Sequence, residues 1–225
     1  MGVANKMTNG KQHTVSWHVD NLKASHVDPK VNDEFHKWLQ ENFGQIADAT
    51  GTRGKKHVHL GMTLDHTVPG QAKVDVTNYV KSMIEDFPLD LDGKVATPAN
   101  DHPFDALRGK KLGKMKKEIL HSTIAKAPFL TMRARPDVRL TTSFLCTRAK
   151  EPTTGDWFML TRTMNFLNAT VNDCLIIEMD GSGKAVCSID AACAVHLGAR
   201  SHTGMPMKMG KGTITSMSRK QKLNT

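Results

Sequence analysis

Two aspartates stand out by their surroundings. Asp20 follows the β-prone run His13-Thr14-Val15-Ser16-Trp17-His18-Val19, and Asn21 and a second run, Leu22 to Val27, come after it. Asp190 closes the β-prone run Val186-Cys187-Ser188-Ile189. A carboxylate projecting from a turn or a strand can hold a divalent cation for phosphoryl transfer, in which two metals sit about 3.5–4 Å apart. A lone aspartate in a turn also has an ordinary explanation, because its side chain bonds the backbone nearby.

Other groupings carry less. His57 and His59 share one face of a strand and could bind a metal, or form a plain polar face. Cys187, Cys193, His196 and His202 can be drawn as a zinc set, but Cys-X5-Cys is the wrong spacing for a knuckle. Gly181-Ser182-Gly183-Lys184 lacks the spacing of a phosphate-binding loop and reads as a strand-to-strand turn. The 13 methionines are scattered, as core filling requires.

The elements that must position these residues follow from period and punctuation. Asp20-Asn21 predicts the tight turn of a hairpin. Asp28 as N-cap and Pro29 at the first helical position open a helix with Val31, Phe35, Trp38 and Leu39 on one side, and Gly44 ends it. In 55–76, Val58, Leu60, Met62 and Leu64 alternate with polar residues, Pro69-Gly70 turns, and Ala72 to Val76 returns, giving a second hairpin. A short helix spans Asn78 to Phe87. Residues 88–113 read as a connector. A helix starts near Lys114 and is expected to kink or stop at Pro128, because a mid-helix proline costs about 3 kcal/mol. A second helix follows Pro136, and a third starts near Thr154 with Trp157, Leu160, Met164 and Leu167. After Asp173 the period becomes two, in Leu175–Ile177, Ala185–Ala191, Met205–Met209 and Thr213–Met217, which predicts a β-meander.

Composition sets the outer limits. The 225 residues are enough for one or two domains with a core. Hydrophobic residues make up 39%, too many for wholesale disorder. No run reaches the roughly 18 apolar residues of a spanning helix, so no membrane partner is expected. The start Met1-Gly2-Val3-Ala4-Asn5-Lys6 lacks an apolar signal core, and the four cysteines lack a framework spacing. An intracellular chain, cytoplasmic or nuclear and not secreted, is the expectation. Charge is uneven: of the net +9, residues 191–225 carry six basic residues and no acid. A second cluster is Arg108, Lys110, Lys111, Lys114, Lys116 and Lys117. Such patches suit RNA or DNA, or are solvated surface without a partner.

Seven short segments, in order, resemble those of a copia-type retrotransposon polyprotein. His18-Val19-Asp20-Asn21 falls where reverse transcriptases carry an aromatic-X-Asp-Asp box. His59-Leu60-Gly61-Met62 resembles the group's Tyr-Leu-Gly-Met strand, and Arg135-Pro136-Asp137-Val138 its Thr-Arg-Pro-Asp-Ile segment. Asp156-Trp157 and Leu160 to Leu167 resemble its His-Trp and Arg-X-Leu-Arg-Tyr-Leu stretch. Ile189-Asp190-Ala191-Ala192, Arg200-Ser201-His202-Thr203-Gly204 and Ser218-Arg219-Lys220-Gln221 resemble the opening strands of its RNase H domain.

The resemblance implies an α+β chain. Residues 1–12 would be an N-terminal tail and 13–87 a partial palm of reverse transcriptase. Residues 88–113 would be a linker, 114–170 the helical thumb and connection, and 171–225 a truncated, three-stranded RNase H-like antiparallel sheet. It implies Asp20 and Asp190 as catalytic and Mg2+-binding positions, and Leu60, Gly61 and Met62, with the basic cluster, as contacts to a primer–template or RNA–DNA hybrid. The departures imply loss of activity. Asn21 stands where the second aspartate of the box belongs, and His18 where the tyrosine does. The fingers, the upstream palm aspartate and the later RNase H carboxylates fall in polyprotein segments outside this sequence. One carboxylate per site is a poor match for magnesium, which gives up its waters reluctantly. The expectation is a degenerate fragment of RNA-directed DNA polymerase lineage, inactive alone. The alternatives are a domesticated nucleic-acid-binding module or a non-functional pseudogene product.

Overall fold

The chain opens with a meander. In a computed structural model that describes residues 2–46, 48–104 and 109–222, strands β1 (Gly2–Thr8), β2 (Lys11–His18) and β3 (Asn21–Ser25) pair antiparallel in that order. Asn9 and Gly10 both take positive φ between β1 and β2, as a tight two-residue turn requires. The segment read as a tail, 1–12, therefore holds β1 and the start of β2. The next turn also differs from expectation. The register Trp17↔Leu22 and His18↔Asn21 leaves Val19 and Asp20 between the strands, so Asn21 is in the ladder. Val19 has φ of 56°, a conformation that a β-branched residue rarely adopts.

Helix α1 (Pro29–Phe43) follows as the punctuation predicts. Asp28 Oδ1 accepts from the Lys30 backbone N–H at 3.0 Å, Pro29 occupies the first turn, and the Gly44 N–H caps the Gln40 carbonyl. Val31 is its buried residue, and the Phe35 ring stands edge-on to His13 at 5.5 Å. Strand β4 (Lys56–His59) is short. The alternation expected to run through residue 64 breaks after it, because Leu60 and Gly61 both have positive φ and turn the chain. Contacts divide the protein into two units, Met1–Gly61 and Met62–Thr225.

The second unit starts with β5 (Met62–Asp65) and β6 (Gln71–Asp75), which pair antiparallel. The helices are α2 (Thr77–Glu85), α3 (Lys114–Arg133), α4 (Arg139–Arg148) and α5 (Thr154–Ala169), and they pack on one another. Their apolar sides form the core: Val80, Met83, Leu120, Ile124, Leu130, Phe144, Leu145, Met164 and Leu167 are buried. Full burial of one such side chain is worth about 1.5–3 kcal/mol. Residues 88–104 run against α5, where Asn168 Nδ2 donates to the Leu91 carbonyl at 2.9 Å and Asn165 Oδ1 accepts from the Gly93 N–H at 3.2 Å.

Pro128 does not break α3. The helix runs through it to Arg133, whereas the sequence predicted a kink or an end there. Contacts to α2, α4 and α5 hold both halves in line. The Ile124 carbonyl, which loses its usual donor at Pro128, lies 3.9 Å from Cys146 Sγ on α4.

The final third is antiparallel. Strand β7 (Leu175–Glu178) leaves the predicted meander and pairs with β6. Strands β8 (Val186–Cys187), β9 (Asp190–His196), β10 (Arg200–Lys208) and β11 (Thr213–Lys220) form a sheet in which β10 is central. The predicted strand Ala185–Ala191 is thus interrupted between Cys187 and Asp190. The Lys211 N–H donates to the Glu178 carbonyl at 2.8 Å and returns an acceptor at 3.0 Å, which ties the β10–β11 turn to β7. Gly212 follows with φ of 84°, and a Cβ there would collide with the Ile176 carbonyl. The architecture is α+β, with five helices and three small antiparallel sheets among the described residues. No described helix is long and apolar enough to cross a membrane.

Candidate functional site

Helix α4 and the 3-10 turn before it, Pro136–Val138, lie against β11. A cavity of about 520 Å3 opens there, lined by Asp137, Arg139, Asp190, His202, Lys208 and Ser218 among others. Two of its lining side chains, His202 on β10 and Ser218 on β11, belong to a hydrogen-bonded chain of three that ends at His196 on β9. His196 Nε2 and His202 Nδ1 are 2.9 Å apart, and His202 Nε2 and Ser218 Oγ are 2.7 Å apart. The strand register explains the meeting: Ser218 faces Gly204, two residues along β10 from His202, on the same side of the sheet.

Both imidazoles are enclosed, His196 at 4% exposed and His202 at 2%. Phe144 of α4 stands 5.3 Å from His196, and Phe104 stands 5.5 Å from His202. Burial, then the neighbouring His202, Lys220 and Arg148, pushes the His196 pKa down to about 4. Burial lowers that of His202 as well. The pair is neutral at pH 7, with one N–H for each hydrogen bond to share. Arg139 lines the same cavity, and its buried Nε has no partner.

Asp190 reaches this cavity at the start of β9, exposed, with Oδ1 accepting from the Ala191 N–H at 2.9 Å. Asp137 is held by Arg135, whose guanidinium bonds both carboxylate oxygens at 2.8–3.1 Å. The lining also includes Arg139 and Lys208. Asp20, in the first unit, is exposed, and Oδ1 takes a hydrogen bond from Asn21 Nδ2 at 3.1 Å. Among the described residues no three of His, Cys, Asp or Glu are grouped to hold a metal ion. The Mg2+ expectation at Asp20 and Asp190 thus draws no support from a ready-made ligand group. The zinc set fails: its two histidines meet, while Cys187 and Cys193 are exposed. On the first sheet, Lys23 Nζ is 3.1 Å from His57 Nε2, which puts a cation where a metal on that ring would sit.

The basic cluster is a surface of a different kind. Lys110 and Lys111 precede α3, and Lys114, Lys116 and Lys117 lie in its first turn, all exposed. Arg108 lies outside the described residues. Lys111 pairs with Glu151 at 3.1 Å, whose carboxyl that hydrogen bond and charge hold below the usual range. Lys116 Nζ stands 5.1 Å above the Trp157 ring. Gly113 offers the helix start no side-chain cap, and no acid sits in the first turn. The positive end of the helix is thus left to lysines, which repel it. Of the other expected contacts, Leu60 and Gly61 are turn residues and Met62 is buried at 7% exposed.

Comparison with protein-family models, with curated proteins and with solved structures found no match.

Sequence reading did not single out Ser218 or Arg139 as site residues, and it weighed His196 and His202 only with the cysteines. The signal that could have found them is two-residue alternation on β9, β10 and β11, once the register is known.

Proposed function

We propose that this chain is a nucleic-acid-binding piece of the copia-type reverse transcriptase and RNase H lineage that has lost both the polymerase and the RNase H activity. The ordered resemblance of seven segments supports the lineage. The observation that carries the binding is the lysine surface at the start of α3, exposed, uncapped and free of acid in its first turn. A phosphate backbone would relieve the repulsion between those lysines and the helix end, releasing counterions as it binds.

Loss of those two activities rests on the two aspartates. Asp20 has Asn21 beside it where the family places a second carboxylate, and Asp190 shares its cavity lining with the cations Arg139 and Lys208. Primer extension and RNase H assays on the purified chain, with magnesium or manganese, test this. The expected result is no product from either, with retained binding to a labelled primer–template. Template-dependent extension abolished by Asp20→Ala would overturn it.

A further inference from the structure

We infer that Ser218, His202 and His196 form a nucleophile, base and positioning relay for acyl transfer, acting on a small ester held in the cavity beside β11. This goes beyond nucleic-acid binding and does not depend on it. Serine hydrolysis needs a hydroxyl hydrogen-bonded to an imidazole whose other nitrogen is held by a third group. Those contacts are present at 2.7 and 2.9 Å, and the outer two-thirds of the relay, Ser218 and His202, lines the cavity. His196, neutral, accepts the His202 Nδ1–H and leaves Nε2 free to accept the Ser218 proton. Arg139 adds a guanidinium to the lining, the type of group that stabilises a developing oxyanion. Phe104, Leu140 and Met205 supply apolar wall for the acyl chain.

The step balances without an added oxidant or reductant. Ser218 Oγ bonds to the ester carbonyl carbon, and its proton passes to His202 Nε2. The ester C–O bond breaks, and the leaving alkoxide takes that proton. Water then attacks the acyl-serine by the same route, giving the carboxylic acid and restoring Ser218. Ser218 and His202 are the catalytic residues, and His196 is a positioning residue.

The test uses the full chain and a fluorophosphonate, which a serine activated in this way attacks at phosphorus with loss of fluoride. The expected result is one adduct, mapped by peptide mass to Ser218. It should be absent from Ser218→Ala and at least tenfold slower to form in His202→Gln. His196→Ala should slow it and move the midpoint of its pH profile, and His196→Asn, which keeps an acceptor for His202, should restore much of the rate. Because His202→Gln could fail to fold, wild-type labelling is also run in guanidinium, where it should vanish. A folded wild-type chain left unmodified at Ser218 overturns the proposal. So does labelling that persists in denaturant, or that is unaffected by His202→Gln.

Discussion

Cys146 Sγ, on α4, lies 3.9 Å from the carbonyl oxygen of Ile124, on α3, the acceptor that Pro128 leaves without an N–H donor. Burial raises the thiol's pKa, so it stays protonated and able to donate. The helix thus keeps its proline with a partial replacement for the lost bond. Pro128→Ala should stabilise the chain by about 1–3 kcal/mol, since it restores the N–H and removes a helix-interior proline. Cys146→Ala should cost about 0.5–1 kcal/mol, and less when Pro128→Ala is present. Urea unfolding of the two single variants and the double variant checks this, and strict additivity would separate the two residues.

Arg135 is 2% exposed and carries a forked contact to Asp137, together with Thr170 Oγ1 at 2.6 Å and the Thr170 carbonyl at 2.9 Å. It pins the 3-10 turn to the end of α5. Arg135→Lys keeps the charge but cannot reproduce the fork, and should destabilise by roughly 2–3 kcal/mol. The urea midpoint checks it; a loss within a few tenths of a kcal/mol would show that charge alone suffices.

Asp156 is fully buried at the start of α5. It accepts from the Thr153 N–H at 2.7 Å, while Thr153 Oγ1 caps the helix in return, and Arg148 Nε bonds it at 3.2 Å. Asp156→Ala leaves the largely buried Arg148 without its carboxylate and should cost about 3–5 kcal/mol. Thr153→Ala removes one cap and should cost about 1 kcal/mol. Thermal melts of both variants should rank them in that order.

Stability should fall on mild acidification. His196 has a pKa of about 4 in the folded chain against 6.5 for the ordinary side chain. Between those values the unfolded chain binds more protons. Its contribution is therefore complete above about pH 6.5 and is lost as pH falls toward 4, with a slope of up to about 1.4 kcal/mol per pH unit. Burial of His202 acts in the same direction, and Lys220 and Arg148 reinforce the effect at His196. Urea midpoints at pH 7.5, 6 and 5 should decline, and less steeply in His196→Gln; identical slopes would assign the loss to other groups.

Binding to duplex DNA should weaken as salt rises. If Lys114 and Lys117 each meet a phosphate, replacing both with alanine should flatten the plot of log K against log salt by roughly 1.8, about 0.9 for each. Fluorescence anisotropy over a salt series measures it, and an unchanged slope would remove these two lysines from the interface.

The sequence by itself determined the local elements. Asp28-Pro29 set the start of α1, Gly44 set its end, and the two-residue period marked the strands after Asp173, because caps and alternation act over a few residues. It also marked the lysine cluster, which needs only exposure to act. Tertiary structure decided what depends on partners far along the chain. Val19 rather than Asn21 entered the turn because pairing of β2 with β3 set the register. Pro128 stayed in a helix because α2, α4 and α5 pack against it. β7 joined β6 because hydrogen bonding reached across about 100 residues. Ser218, His202 and His196 met because three antiparallel strands placed the same face of each beside α4, and a side chain's face in a sheet follows from register, which short-range pattern does not contain.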